Sequence, residues 1–68
     1  MDKFYINKLD SDTYAVMKYY EEDAHHEQWR ICDTYEDAVE LCHYCNGGSI
    51  KDYMNGNYLI YEWRLARA

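Results

Sequence analysis

Thr34-Tyr35-Glu36-Asp37-Ala38-Val39-Glu40-Leu41-Cys42-His43-Tyr44-Cys45-Asn46-Gly47-Gly48 is the stretch on which the fold turns. Thr34 is placed to cap free backbone N–H groups. Asp37, three residues on, fits the capping-box pattern and the positive end of a helix dipole. Projected at helical periodicity, Tyr35, Ala38, Val39, Leu41, Cys42 and Cys45 share an apolar arc, and Glu36, Asp37, Glu40, His43 and Tyr44 take the other. Asn46-Gly47-Gly48 ends the helix, because glycine adopts the left-handed conformation without steric cost. One two-faced helix from Tyr35 to about Cys45 therefore needs an apolar surface to cover.

The preceding sequence supplies it. Lys3 to Leu9 alternates Phe4 and Ile6 with Lys3, Tyr5 and Asn7, and Tyr14 to Tyr20 is dense in aromatic and β-branched residues, as strands are. Asp10-Ser11-Asp12-Thr13 reads as their turn. Glu21 to Glu27 reads as a polar connection, and Gln28 to Asp33, with Trp29 and Ile31 on one face, reads as a third strand. After the helix, Asn55-Gly56 is a strong short hairpin signal, which predicts strands over Ser49 to Met54 and Asn57 to Leu65. Ile50, Met54, Leu59, Tyr61, Trp63 and Leu65, with Asp52 among them, would face the helix. The expected architecture is a single α+β domain over residues 1–68: a three-strand meander, one helix and a C-terminal hairpin, with the helix on one face of an antiparallel sheet.

A chain of 68 residues fits one small domain. Apolar residues at 49% and aromatics at 18% supply a core and set the sequence apart from disordered acidic tails. Seven basic against thirteen acidic residues leave a formal charge of −6. That argues against direct nucleic-acid binding and favours basic partners. The acidity is concentrated: residues 10–40 hold ten of the acidic and two of the basic side chains. Glu21, Glu22, Asp23 and Glu27 load the connection before the third strand, while Glu36, Asp37 and Glu40 load the exposed helix face. Read together, they predict one negative surface. Nine tyrosines exceed what one helix and one sheet face can cover. Tyr19, Tyr20, Tyr53 and Tyr58 are the candidates for an aromatic contact surface. The plainer account is that acids solubilise a small domain and that tyrosine suits half-wet strands.

Chemistry-bearing motifs are few. Cys42-His43-Tyr44-Cys45 has the spacing of half a zinc site, which Cys32 and His25 or His26 would complete. A second C-x-x-C is missing, and both thiols lie on the apolar arc, so buried structural cysteine is the favoured reading and no metal or other cofactor is expected. Phosphate loops, dinucleotide fingerprints and G-x-S-x-G or H-E-x-x-H motifs do not occur. The chain reads as a non-enzyme. An odd cysteine count suits a reducing compartment, and neither an apolar span nor a signal-peptide core is found, so a cytoplasmic protein with no membrane contact is expected.

A compact acidic α+β chain beginning Met1-Asp2-Lys3-Phe4-Tyr5-Ile6, with a capped Asp33-Thr34-Tyr35-Glu36-Asp37-Ala38 helix, resembles small proteins encoded by phages and mobile elements, of which anti-CRISPR proteins are the best-known class. The resemblance implies a stoichiometric inhibitor of a bacterial nucleic-acid-handling complex, acting in the host cytoplasm. The residues add a means: carboxylates standing in for phosphates against Lys and Arg. Two other readings stand beside it, a homodimer built on a self-complementary tyrosine face or sheet edge, and a small zinc module.

Overall fold

The computed structural model of the chain describes residues 3–60. Strands β1 (Lys3–Asp10), β2 (Thr13–Tyr20) and β3 (His25–Cys32) are followed by helices α1 (Tyr35–Cys45) and α2 (Ile50–Met54). The strands form an antiparallel meander in the order β1-β2-β3. The first turn is tight, with the Asp10 carboxylate accepting from the Asp12 N–H at 2.9 Å. That bond, with help from Thr13, holds the Asp10 carboxyl below its ordinary range.

Helix α1 lies across one face of the sheet. Phe4, Val16, Ala38 and Cys42 form the centre of the core, with Ile6, Tyr14, Trp29, Cys32, Leu41, Cys45 and Ile60 packed around it. Its start is as the sequence predicts: Thr34 has an extended backbone, and its Oγ1 accepts from the Asp37 N–H at 3.1 Å. At its end the Gly48 N–H reaches the His43 carbonyl and the Gly47 N–H the Tyr44 carbonyl, with Gly47 at φ +88°. This is the Schellman arrangement, which satisfies carbonyls the helix leaves over.

Two expectations need correction in β3. The strand begins at His25, three residues earlier than the polarity of His25-His26-Glu27 suggests, because those residues pair across the sheet with Tyr20, Tyr19 and Lys18. Their rings supply the contact that aliphatic side chains would otherwise make: Tyr19 and His26 lie 4.8 Å apart, Tyr20 and His25 5.4 Å. Nor do Trp29 and Ile31 share a face. The register skips one residue between Arg30 opposite Val16 and Gln28 opposite Met17. Trp29 is thus the extra residue of a β-bulge, turned to the helix side against Phe4. Ile31, opposite Ala15, points the other way and is 48% exposed.

The predicted hairpin strand over Ser49 to Met54 is instead α2. Ser49 Oγ accepts from the Asp52 N–H at 3.1 Å, a serine cap followed by an acid three residues on. Asn55 has φ −91°, whereas the hairpin turn would need positive φ at both Asn55 and Gly56. Only Gly56 is left-handed, at φ +81°. The Gly56 N–H meets the Tyr53 carbonyl and the Asn57 N–H the Asp52 carbonyl, so Asn55-Gly56 closes α2 as Asn46-Gly47 closes α1. Ile50 and Met54, expected to face the helix, are 66% and 78% exposed. The predicted return strand falls on residues 57–60, which have no strand pairing, and on Tyr61 to Leu65, which lie outside the described residues.

Candidate functional site

The last turn of α1 organises everything after it, through two side chains that sequence reasoning did not single out. Asn46 caps the helix and reaches the edge of β1. Its Oδ1 accepts from the Phe4 N–H at 2.8 Å, and its Nδ2 donates to the Phe4 carbonyl at 3.0 Å and the Leu59 carbonyl at 2.9 Å. One amide thus stands in for a neighbouring strand at Phe4 and anchors residues 57–60. His43, assigned by periodicity to the polar arc, is only 1% exposed. The Leu59 N–H donates to its Nδ1 at 2.8 Å, and its Nε2 lies 2.7 Å from the Ser49 carbonyl. An N–H can only donate and a carbonyl can only accept, so the imidazole is neutral with its proton on Nε2. Gly48 makes room for the ring: a Cβ there would overlap His43 Cε1, Nδ1 and Nε2.

With Leu59 held at both its N–H and its carbonyl, and α2 tied back through Ser49, the outer side of α1 gains a second wall. Tyr53 of α2 and Tyr58 lie 5.2 Å apart between ring centroids, and Tyr44 stands 5.7 Å from Tyr53. Tyr35, at the start of α1, is 55% exposed and makes a T-shaped contact with Tyr14 at 5.5 Å. Tyr35, Glu36, Val39, Tyr53 and Tyr58 enclose an open groove of about 380 Å³. The Tyr53 phenol is raised above its ordinary pKa, first by desolvation and then by the negative charge of Glu40. Among the described residues, neither Glu36 nor Glu40 has an ion-pair partner.

The seven predicted acids do not make one surface. Glu21 to Asp23 turn the chain beyond the Tyr20–His25 pair, whereas α1 starts just after the Tyr14–Cys32 pair at the other end of the same strands. Six residues of strand separate those rows, roughly 20 Å. The acids of the turn end are also partly engaged. Glu21 pairs with Lys3 at 3.0 Å, a contact that lowers its carboxyl, and Glu27 accepts from the Tyr20 hydroxyl at 2.6 Å, which raises the phenol. The predicted tyrosines divide in the same way: Tyr19 and Tyr20 belong to the sheet, and Tyr53 and Tyr58 to the groove.

The cysteines sit in the core layer. Cys42 is fully buried, and desolvation pushes its thiol up to about 12. Cys32 and Cys45 are raised by the same cause. All three stay protonated and unreactive at neutral pH. His25 is at the opposite end of β3 from Cys32, and among the described residues no three His, Cys, Asp or Glu side chains converge on a metal site. No helix among them is long and apolar enough to cross a membrane. No protein family, curated protein or solved structure matches the chain.

Proposed function

We propose that this chain is a protein-binding domain without catalytic activity, of the phage or mobile-element inhibitor type, that settles on a basic surface of a bacterial nucleic-acid-handling complex and blocks the nucleic acid from it. The observation that carries this reading is the convergence of Tyr35, Glu36, Tyr53 and Tyr58 on one open groove. Glu40 lies one helical turn beyond Glu36. Tyrosine rings give contact area at low entropic cost, and carboxylates beside them give attraction and selection for a basic partner. The α1 face is the centre of the contact. Glu22 and Asp23, at the far end of the sheet, act as a steering charge.

The test is capture of partners from bacterial lysate by the tagged chain, after nuclease treatment and at two salt concentrations. A basic nucleic-acid-binding protein should be recovered, less of it at high salt, and the chain should displace that protein's nucleic acid. The double substitution Glu36→Lys, Glu40→Lys should weaken capture by about tenfold or more, since each reversal removes an attraction and adds a repulsion. Capture that is indifferent to this substitution would remove the α1 face from the account. A protein recovered together with its nucleic acid would refute blocking.

A further inference from the structure

The groove has a chemistry narrower than negative charge. Three of its five lining residues are tyrosines: Tyr35, and the mutually packed pair Tyr53 and Tyr58. A ring face carries the negative end of the aromatic quadrupole and attracts a cation lying within about 6 Å of its centroid. Glu36 lines the same space, with Glu40 four residues on along the helix. Like charges at that spacing repel each other, so a cation between them relieves a repulsion already present in the free protein.

The fold itself shows that this chain's rings accept a cation. The Lys18 ammonium stands 4.7 Å from the Tyr20 ring centroid, 4.9 Å from that of Trp29 and 5.7 Å from that of Phe4. That internal cation is on the helix side of the sheet and does not reach the groove. The groove's rings have no such partner among the described cation–ring contacts.

We infer that the groove lined by Tyr35, Glu36, Tyr53 and Tyr58 is a receptor for one arginine side chain of the partner protein. This rests on the proposed docking to a basic surface and names the group that enters first. Arginine fits better than lysine for three reasons. Its planar guanidinium lies flat on a ring face, its paired N–H groups match a carboxylate edge, and it gives up water more readily at an open site. The aliphatic part of the side chain is covered by Val39 at the floor, which is 5% exposed.

The test is NMR titration of the full chain with the tripeptide acetyl-Gly-Arg-Gly-amide and with the same peptide carrying citrulline or lysine. Citrulline keeps the shape of arginine without its charge. The arginine peptide should give saturable shifts of the Tyr35, Tyr53 and Tyr58 ring protons, with citrulline at least about tenfold weaker and lysine about threefold weaker. Glu36→Gln and Tyr58→Leu, both at exposed positions, should each weaken arginine binding by about threefold or more, with the β1–β3 amide spectrum unchanged as proof of folding. Equal binding of citrulline or lysine would overturn the assignment, as would shifts spread evenly to the Glu21–Asp23 turn. Failure here with lysate capture still sensitive to Glu36→Lys, Glu40→Lys would sink the arginine receptor alone. Arginine binding without any captured basic partner would sink the inhibitor reading alone.

Discussion

Replacing Gly48 with alanine should be among the most damaging single-methyl changes this chain can receive, although alanine normally stabilises a backbone relative to glycine. Gly48 does not have a positive φ, so conformation alone would favour alanine by about 0.4–1 kcal/mol. The added Cβ, however, overlaps three atoms of the His43 ring. Displacing a buried ring costs about 1–3 kcal/mol in overpacking. It also breaks the bonds to Leu59 N and Ser49 O. Those groups are only partly buried, which puts each loss near the lower end of the range, about 1 kcal/mol. The net loss is about 2–5 kcal/mol, against a total of roughly 3–10 kcal/mol for a domain of this length, or a fall in Tm of about 8–40 °C.

The control is a double-mutant cycle followed by urea unfolding and far-UV circular dichroism. With His43→Ala present there is no ring to displace, so Gly48→Ala should then cost nothing or stabilise slightly, giving a coupling of about 3–5 kcal/mol between the two sites. Gly47→Ala is the contrast. Its φ is +88° with nothing within 4 Å of the new Cβ, so it should cost about 1–2 kcal/mol in both backgrounds. Equal cost of Gly48→Ala with and without His43 would refute the overlap as the cause.

Other consequences are as direct. Asn46→Asp keeps the acceptor for the Phe4 N–H but loses the bonds donated to the Phe4 and Leu59 carbonyls and the weaker one to Cys42 Sγ. It should lower stability by about 2–4 kcal/mol yet leave the Phe4 amide more protected from hydrogen exchange than Asn46→Ala does. Thr34→Ala should cost about 1 kcal/mol in thermal unfolding, with Thr34→Ser recovering most of it. The Cys42 thiol is raised to about 12 in the folded chain, so the folded state holds its proton more tightly than the unfolded state. Its contribution is fully present below the unfolded value near 9 and is lost as pH climbs from there toward 12. At pH 11 the loss should be roughly 3 kcal/mol, and Cys42→Ala should flatten that part of an alkaline stability profile.

Much of the meander, and the bounds and cap of α1, can be read from the chain, because their signals are local. Thr34 and Asp37 sit one helical turn apart and declare a cap, and Phe4, Ile6, Tyr14 and Val16 alternate as a covered strand face does. The hairpin that became α2 shows where local signals compete. Asn-Gly closes a hairpin or a helix with the same left-handed glycine, and the tie was broken by Ser49-Ile50-Lys51-Asp52, a cap signature present in the sequence and outweighed by the turn. The groove is harder to see in advance. His43 falls on the polar arc of α1 and is buried because Gly48, Ser49 and Leu59 close over it, and Asn46 looks like a helix terminator until Phe4, 42 positions earlier, is found beside it. Trp29 changes side because one residue is inserted in β3, which alternation cannot reveal.

The Asn46 amide also sets an order of events in biosynthesis. The meander and α1 close over short sequence separations, but the joint between Phe4 and Asn46 spans 42 residues, and contacts of long span are entropically the last to become favourable. A nascent chain that has released β1 to β3 still presents an unmet donor and acceptor at Phe4 until residue 46 emerges, and Leu59 completes the joint later still. Tyr58 joins Tyr35 in lining the groove only at that point. Copies that stop short of Tyr58 therefore lack part of the groove's lining, whatever the state of the meander.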